Sequence, residues 1–536
     1  MMKMRRRILR IAAVGASTAL ASAAALAQVI PQVPMPAEAG SDAGTAAHPA
    51  MPPNTYVVPS IAVLGTATSN ADLGTGAASR SDQTLELIPR VFLISDHARW
   101  RLNADLGADA LYYAHGSQPN SFAPNGNASL HSELVDRFLY FDASMNAQQE
   151  SISPYVGQGG PLSSSSYTSE QLRISPYIDR LLRPGLRLRA RSDDTWTHAS
   201  NSSGNVAVSG GRYLDQSIDL TQQPTAWGYT LTARQIYSTY TGQPYAWMRD
   251  TTGRVVPQYA LSQRLIVGLI GGREKVQVHG DQDTAPIYGA MVRWRPRPGD
   301  GVQASFERRF FGAAWKLQAD GGTPLLRLHL DWYRDIGSEL APLGSSSSGA
   351  GNVTQLLDGL FSTQYPNPLQ RAQVVQALLG EAGLPPGLPT SGNFYTSSSM
   401  LQNSLIATGV LLHERDNFAL SVYRNRTADL FLPGQQALAL LQGLSNDNLQ
   451  TGAAFNYGHR LTPLDTLNLT LQREDDTGFG PNQGRNARLT ALIAQLDHRF
   501  SPRTIGLLGV RRRLLVSSEV GNSNETALFA GLVHRF

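Results

Sequence analysis

Apolar side chains recur at every second position along most of this chain. The clearest run is Ala98 to Tyr113. Trp100, Leu102, Ala104, Leu106, Ala108, Ala110 and Tyr112 share one face of it, and Arg99, Arg101, Asn103, Asp105, Gly107 and Asp109 share the other. A period of two marks a β-strand, because a helix would scatter the same residues around its circumference. An unbroken apolar stripe with an aromatic at each end fits a lipid-facing strand anchored at both membrane interfaces.

The alternation repeats. Leu139, Phe141, Ala143, Met145 and Ala147 oppose Tyr140, Asp142, Ser144, Asn146 and Gln148, and Trp227, Tyr229, Leu231 and Ala233 oppose Gly228, Thr230, Thr232 and Arg234. Tyr288, Ala290, Val292 and Trp294 continue the series, as do Leu326, Leu328, Leu330 and Trp332 opposite Arg327, His329, Asp331 and Tyr333, and then Leu467, Leu469 and Leu471. In the last run, Leu528, Ala530, Leu532, His534 and Phe536 lie opposite Phe529, Gly531, Val533 and Arg535. A strand of this kind, ending on an aromatic, looks like the closing strand of a bacterial outer-membrane barrel. Those five residues are the expected signal to the barrel assembly machinery.

Alternating strands span lipid only in a closed barrel, where every backbone N–H and C=O finds a strand partner in the absence of water. The expected fold is therefore all-β, a transmembrane antiparallel up-and-down barrel over residues 55–536 with about 22 strands, within a range of roughly 18 to 26. A soluble sandwich or propeller is the rival, but its strands run to about five or six residues. These runs mostly exceed the roughly nine to eleven residues needed to cross a membrane. Short turns near residues 95–97, 135–137, 184–185, 222–224, 263–264, 321–322, 415–417, 461–463 and 501–503 alternate with longer Ser-, Gly- and Asn-rich connections such as 68–82, 150–166, 241–253, 430–448 and 476–486. That parity puts the short turns and both chain ends in the periplasm and the long loops outside.

Composition changes the picture in one respect. The chain carries 45 Lys and Arg against 41 Asp and Glu. Lys3, Arg5, Arg6, Arg7 and Arg10 precede an Ala-rich apolar stretch, Ile11 to Ala24, and a small-x-small site at Ala25-Leu26-Ala27. Residues 1–27 thus read as a signal peptide. Its removal leaves 40 basic against 41 acidic residues, and a nucleic-acid partner loses its main support. Residues 28–54, with six Pro and six Ala, read as a flexible periplasmic segment. Hydrophobic content of 41% is low for helical spans and suits a barrel, where alternate residues meet lipid.

One loop, residues 336–393, breaks the pattern. Val353 to Phe361 and Pro368 to Leu384 carry helical spacing, with Gly383 and Pro385-Pro386 stopping the run. It is either a plug folded into the lumen or a packed external loop. A second apolar loop, Ala437 to Leu444, is a candidate to pack against it.

Pro59-Ser60, Asn70, Ile88-Pro89, Tyr112-Tyr113-Ala114, Glu133-Leu134, Trp294-Arg295-Pro296, Arg308-Arg309-Phe310-Phe311-Gly312, Gln370-Arg371-Ala372-Gln373-Val374-Val375 and Gly383-Leu384 occur in order along residues 55–536. In these the chain resembles the outer-membrane barrels associated with PEP-CTERM/exosortase systems. The resemblance implies a role in exopolysaccharide or biofilm-matrix export, with outer-membrane lipid, anionic polysaccharide and envelope export components as partners. It implies no cofactor and no catalytic residue.

The residues themselves offer little to an enzyme. His329, His413, His459, His498 and His534 are isolated, no Gly-x-Ser-x-Gly elbow occurs, and no metal-ligand spacing is present. The chemistry lies on the polar faces. Arg99, Arg101, Asp105 and Asp109, then Arg187, Arg189, Arg191 and Asp193, then Arg327 and Asp331 are the candidate lumen-lining residues. They read either as a cationic ladder for an anionic polymer or as Arg–Asp pairs that fill and stiffen the barrel. Three functions follow as expectations: a conduit or accessory barrel for matrix export, a general diffusion porin, or a non-conducting structural or adhesive barrel.

Overall fold

The computed structural model describes residues 55–76, 79–156, 166–200, 210–278, 280–297, 299–338, 340, 353–362, 364–389, 394, 399–430 and 446–536. The expected signal peptide, the 28–54 segment and the Ala437–Leu444 loop lie outside these residues. The strands are β1 (Thr55–Thr68), β2 (Asp82–Asp96), β3 (Trp100–Tyr113), β4 (Ser121–Val135), β5 (Leu139–Ser151), β6 (Ser166–Arg183), β7 (Leu186–Ser200), β8 (Gly211–Gln222), β9 (Trp227–Tyr240), β10 (Gln243–Ser262) and β11 (Leu265–Val278). They continue with β12 (Asp281–Trp294), β13 (Gly301–Arg309), β14 (Gly312–Gly322), β15 (Leu326–Gly337), β16 (Met400–Leu411), β17 (Asp416–Asp429), β18 (Asn448–Arg460), β19 (Asp465–Gly478), β20 (Asn486–Ser501), β21 (Thr504–Ser517) and β22 (Gly521–Arg535).

Each strand pairs antiparallel with the next, and β1 also pairs with β22 from Ser60↔Arg535 to Thr68↔Ala527. The 22-stranded sheet therefore has no edge, which is what lets its backbone be satisfied in hydrocarbon. The outward faces carry the exposed apolar side chains, Leu85, Tyr112, Trp227, Leu269, Tyr288 and Leu528 among them. Aromatic contacts gather near the short turns: Trp227 with Tyr259 (ring centroids 4.8 Å apart), Phe418 with Tyr457 (5.1 Å), His498 with Phe500 (4.7 Å) and His534 with Phe536 (5.1 Å). Such a girdle anchors a barrel at the headgroup level.

The connection expected over 241–253 is a two-residue turn, Thr241-Gly242, and the polar run Thr251-Thr252-Gly253 lies inside a 20-residue β10. Gly242 has φ of +77°, the left-handed conformation such a turn needs and glycine adopts freely. Polar content marked a loop in the sequence, whereas here the stretch of strand from Arg249 to Arg254 is polar on both faces.

Between β15 and β16 the chain forms α1 (Val353–Phe361) and α2 (Pro368–Ala382). Pro368 opens α2 at the position where its missing N–H is harmless. Gly383, with φ of +63°, ends it, and the Leu384 N–H donates back to the Leu379 carbonyl (3.1 Å). The Arg371 side chain ties the two helices together through Asp358 (2.7 Å).

Candidate functional site

The two helices lie inside the barrel. Val353, Leu356, Leu357, Val375, Leu379, Ala382, Leu384 and Leu388 form one buried cluster with Val410, Ala419 and Ala454 of β16, β17 and β18. Those three wall residues alternate with Leu411, Leu420 and Phe455, two of which are among the exposed outward side chains, so the helices cover the inner face. The helical part of the loop is thus folded into the lumen and not packed outside it. Each fully buried Val or Leu in such a cluster is worth roughly 1.5–3 kcal/mol relative to exposure, which holds the insert against the wall.

The insert leaves β15 at the long-loop end yet reaches the short-turn end. The Asn417 side-chain amide, one residue into β17, donates to the Ala382 carbonyl (3.3 Å). Gly458 faces the end of α2 so closely that a Cβ there would overlap the carbonyl oxygen of Ala382. On its way out the insert crosses the barrel, and Phe394 forms an isolated bridge with Ser151 at the end of β5, eleven strands from β16 in a ring of 22.

Other contacts cross the long-loop end. Leu340 packs with Tyr213 and Tyr240 of β8 and β9, and the Ser399 and Ser238 hydroxyls lie 3.1 Å apart. Ser517 of β21 donates to the carbonyl of Tyr155 in the loop after β5 (2.6 Å), and the Arg485 guanidinium stacks 4.8 Å from the Tyr155 ring. Burial pushes the Tyr155 hydroxyl pKa well up, so the phenol stays neutral.

The wall from β3 to β7 is different. Arg101 pairs with Asp96 (3.2 Å), and Arg187 grips Asp179 through two 2.5 Å contacts. Arg191 reaches Asp142 (2.8 Å) and Asp193 (2.8 Å). Tyr140 and Tyr177 stack at 5.1 Å, with His131 at 6.0 Å on one side and the Arg191 and Arg189 guanidinium carbons 4.9 and 5.5 Å from the Tyr177 ring on the other. Near the short-turn end this stripe is wet: the His131 side chain is 51% and that of Arg187 59% exposed. Toward the long loops the same wall is buried, with Asp109 accepting from Asn125, and Tyr167 donating to Glu150.

Of the candidate lumen residues, Arg101, Asp105, Asp109, Arg187, Arg189, Arg191 and Asp193 share the inner face of this sector, Asp105 lying 3.5 Å from Arg90 of β2. Arg99 falls in the turn before β3 rather than in the strand. Arg327 and Asp331 belong to a distant wall, where Arg327 pairs with Asp300 (3.2 Å) and Asp331 is buried. Leu528, Ala530, Leu532, His534 and Phe536 are all exposed on the outer face of the closing strand and the residue that follows it.

Residue patterns missed a second set of inner charges. Arg309 meets Glu274 (3.0 Å), Asp250 (2.8 Å) and Asp335 (2.5 Å), drawn from β11, β10 and β15, and Arg511 and Arg513 share Glu525 with the Thr68 hydroxyl. A single strand's alternation marks each as inward; only the pairing register shows which partners meet.

The architecture defines a transmembrane β-barrel of the bacterial outer-membrane class. No protein-family model and no curated protein matches the sequence. Among solved structures, the chain is similar to the siderophore receptor PirA from Acinetobacter baumannii (TM-score 0.41, 8% identity, 90% of this chain and 80% of that one). It is also similar to OccK5 (OpdH) from Pseudomonas aeruginosa (0.34, 10%, 90% and 98%) and to the outer membrane protein OpdK from Pseudomonas aeruginosa (0.32, 8%, 90% and 99%).

Proposed function

We propose that this chain is a porin-like channel of the outer membrane, in which solutes move along the β3–β7 wall while the helical insert occupies the opposite side of the lumen. The observation that carries this reading is the unequal treatment of the inner wall. The His131 and Arg187 side chains stay more than half exposed on one sector, while small apolar ones are sealed beneath helices on the other. A barrel of about 22 strands is wide enough to need such a filling. Single-channel recording in planar bilayers tests it: steady conductance is expected from the intact barrel, larger conductance after removal of residues 345–390, and silence from both proteins would end the reading.

A second reading is favoured by the stripe itself. Tyr140 and Tyr177, their faces filled by each other, His131 and Arg191, line the stripe with ring edges and hydroxyls, and the Arg189 guanidinium beside them offers a fork to carboxylates. That chemistry suits an acidic polysaccharide, in keeping with the resemblance to barrels of PEP-CTERM/exosortase systems. Deleting the gene should then change the amount of secreted matrix, and an unchanged matrix would leave only the diffusion channel.

A further inference from the structure

The outer surface carries a charge pattern that neither a solute pathway nor barrel closure explains. Six strands that rise from the short-turn end each bear an outward Arg seven or eight residues after their first residue: Arg273, Arg308, Arg334, Arg424, Arg473 and Arg512, on β11, β13, β15, β17, β19 and β21. Eight residues rising about 3.3 Å each on a strand tilted by about 40° climb roughly 20 Å. The apolar band of such a barrel is about 25 Å tall, so a long Arg side chain at that height snorkels to the far interface. The matching positions on β1, β3, β5, β7 and β9 are Val63, Ala108, Ala147, Asp194 and Gln235. The belt therefore covers one half of the circumference.

Arg473 has a carboxylate partner, Asp475 at 3.0 Å. The other five have none within ion-pair distance among the described residues, in contrast to the inward Arg191 and Arg309. The densest point of the belt is the β13–β17 sector. Arg308 and Arg334 each place a guanidinium nitrogen within 4.0 Å of where a Gly312 Cβ would stand. Arg334 and Arg426 flank Asn403 in one cross-strand row. Beneath them Trp315 and Trp332 meet edge to face (5.5 Å), and the Arg334 guanidinium carbon sits 5.6 Å from the Trp315 ring and 5.5 Å from that of Phe311. Like charges gathered at a membrane boundary need an anion that the chain does not supply, and forked donors above an aromatic anchor match a phosphate set on acyl chains.

We propose that Arg308, Arg334 and Arg426 bind a phosphate of the phosphorylated glycolipid in the external leaflet, lipid A, with its acyl chains lying on the Trp315 and Trp332 face. The site fixes the barrel's height and gives it a lipid-facing front. It operates whether or not the lumen conducts.

The full-length barrel, folded in detergent, is titrated with bisphosphorylated lipid A, dephosphorylated lipid A and inorganic phosphate, with retained lipid read by native mass spectrometry. Bisphosphorylated lipid A should bind the R308Q/R334Q/R426Q protein at least tenfold more weakly than the parent, while the triple Lys variant stays within about threefold of it, since Lys keeps the charge. Dephosphorylated lipid A should bind parent and Gln variant alike. Equal affinity of parent and Gln variant for bisphosphorylated lipid A overturns the proposal. So does inorganic phosphate displacing the lipid at millimolar concentration, or a lipid-free oligomer that the Gln variant alone loses, which would make the surface a contact between copies. Should the triple Gln protein fail to fold, Arg334→Gln alone is titrated: a threefold or greater loss supports the site, and no change overturns it.

Discussion

Two stretches of the inner wall have the same backbone and opposite fates. On β16–β18 the inward positions Val410, Ala419 and Ala454 are small and apolar, with Gly458 where α2 comes closest, and the helical insert seals them. On β3–β7 the inward positions are Arg101, His131, Tyr140, Tyr177, Arg187 and Arg191, long and polar, and the described part of the insert meets this sector at the long-loop end, where Phe394 bridges Ser151. Lumen side chains on a wide barrel must either be wetted or be covered. Their chemistry thus records which part of the interior holds water and which part holds protein.

The largest test removes the covering. Replacing residues 345–390 by a short Gly-Ser link should raise single-channel conductance severalfold, because the cross-section beside β16–β18 becomes aqueous. It should also expose Val410, Ala419 and Ala454 to water, lowering stability against heat as judged by the gel mobility shift of the folded barrel. Unchanged conductance would mean that the insert lies outside the ion path.

A smaller change acts on the docking itself. Gly458→Leu puts a side chain where the Ala382 carbonyl now sits, and overpacking of this kind costs about 1–3 kcal/mol. The docked state should lose a factor of roughly 5 to 150 in its equilibrium. Recordings should show the intact channel flickering to the level of the deletion variant. A quiet trace at the parent level would show that α2 has room to move aside.

Both halves of this contrast were partly legible in the sequence. Ala98 to Tyr113 announced its faces because its apolar stripe is long and ends in aromatics. The helices of the insert announced themselves through spacing and through the stop at Gly383, and Pro368–Ala382 follows the expected span closely. What the helices cover was not legible, because alternate small residues on three separate strands look like ordinary inward positions until register aligns them. The same holds for Arg309, whose partners lie 59, 35 and 26 residues away. Polar stretches also hid: the first half of β10 read as a loop because Thr251-Thr252-Gly253 lacks an apolar face.

On the wet wall, Arg191→Gln should matter more than any other single change. It takes the partner from Asp193 and leaves Asp142 with His131 (2.7 Å), and a half-buried carboxylate left without a partner costs about 1–3 kcal/mol. The lumen becomes more negative, so the reversal potential in a salt gradient should shift toward cation preference. A shift toward anions would mean that Asp142 and Asp193 find other cations.

Arg189→Gln is the finest probe of the comparison, and its smallness is informative. Arg189 rests on the Tyr177 ring at 5.5 Å and takes part in no ion pair among the described residues, so its attachment is worth only about 0.5–1 kcal/mol at an exposed site. Stability should stay within that margin, and the Tyr140–Tyr177 stack should persist because Arg191 holds the same ring at 4.9 Å. If the stripe is a path for acidic solutes, the variant should still lose part of its preference for anions over cations, since a guanidinium facing the lumen raises their local concentration. Selectivity that survives the loss of Arg189 unchanged, in a barrel whose conductance also survives, would assign the exposed charges of β3–β7 to wall rigidity and leave ion choice to the crossings near Ser151 and Tyr155.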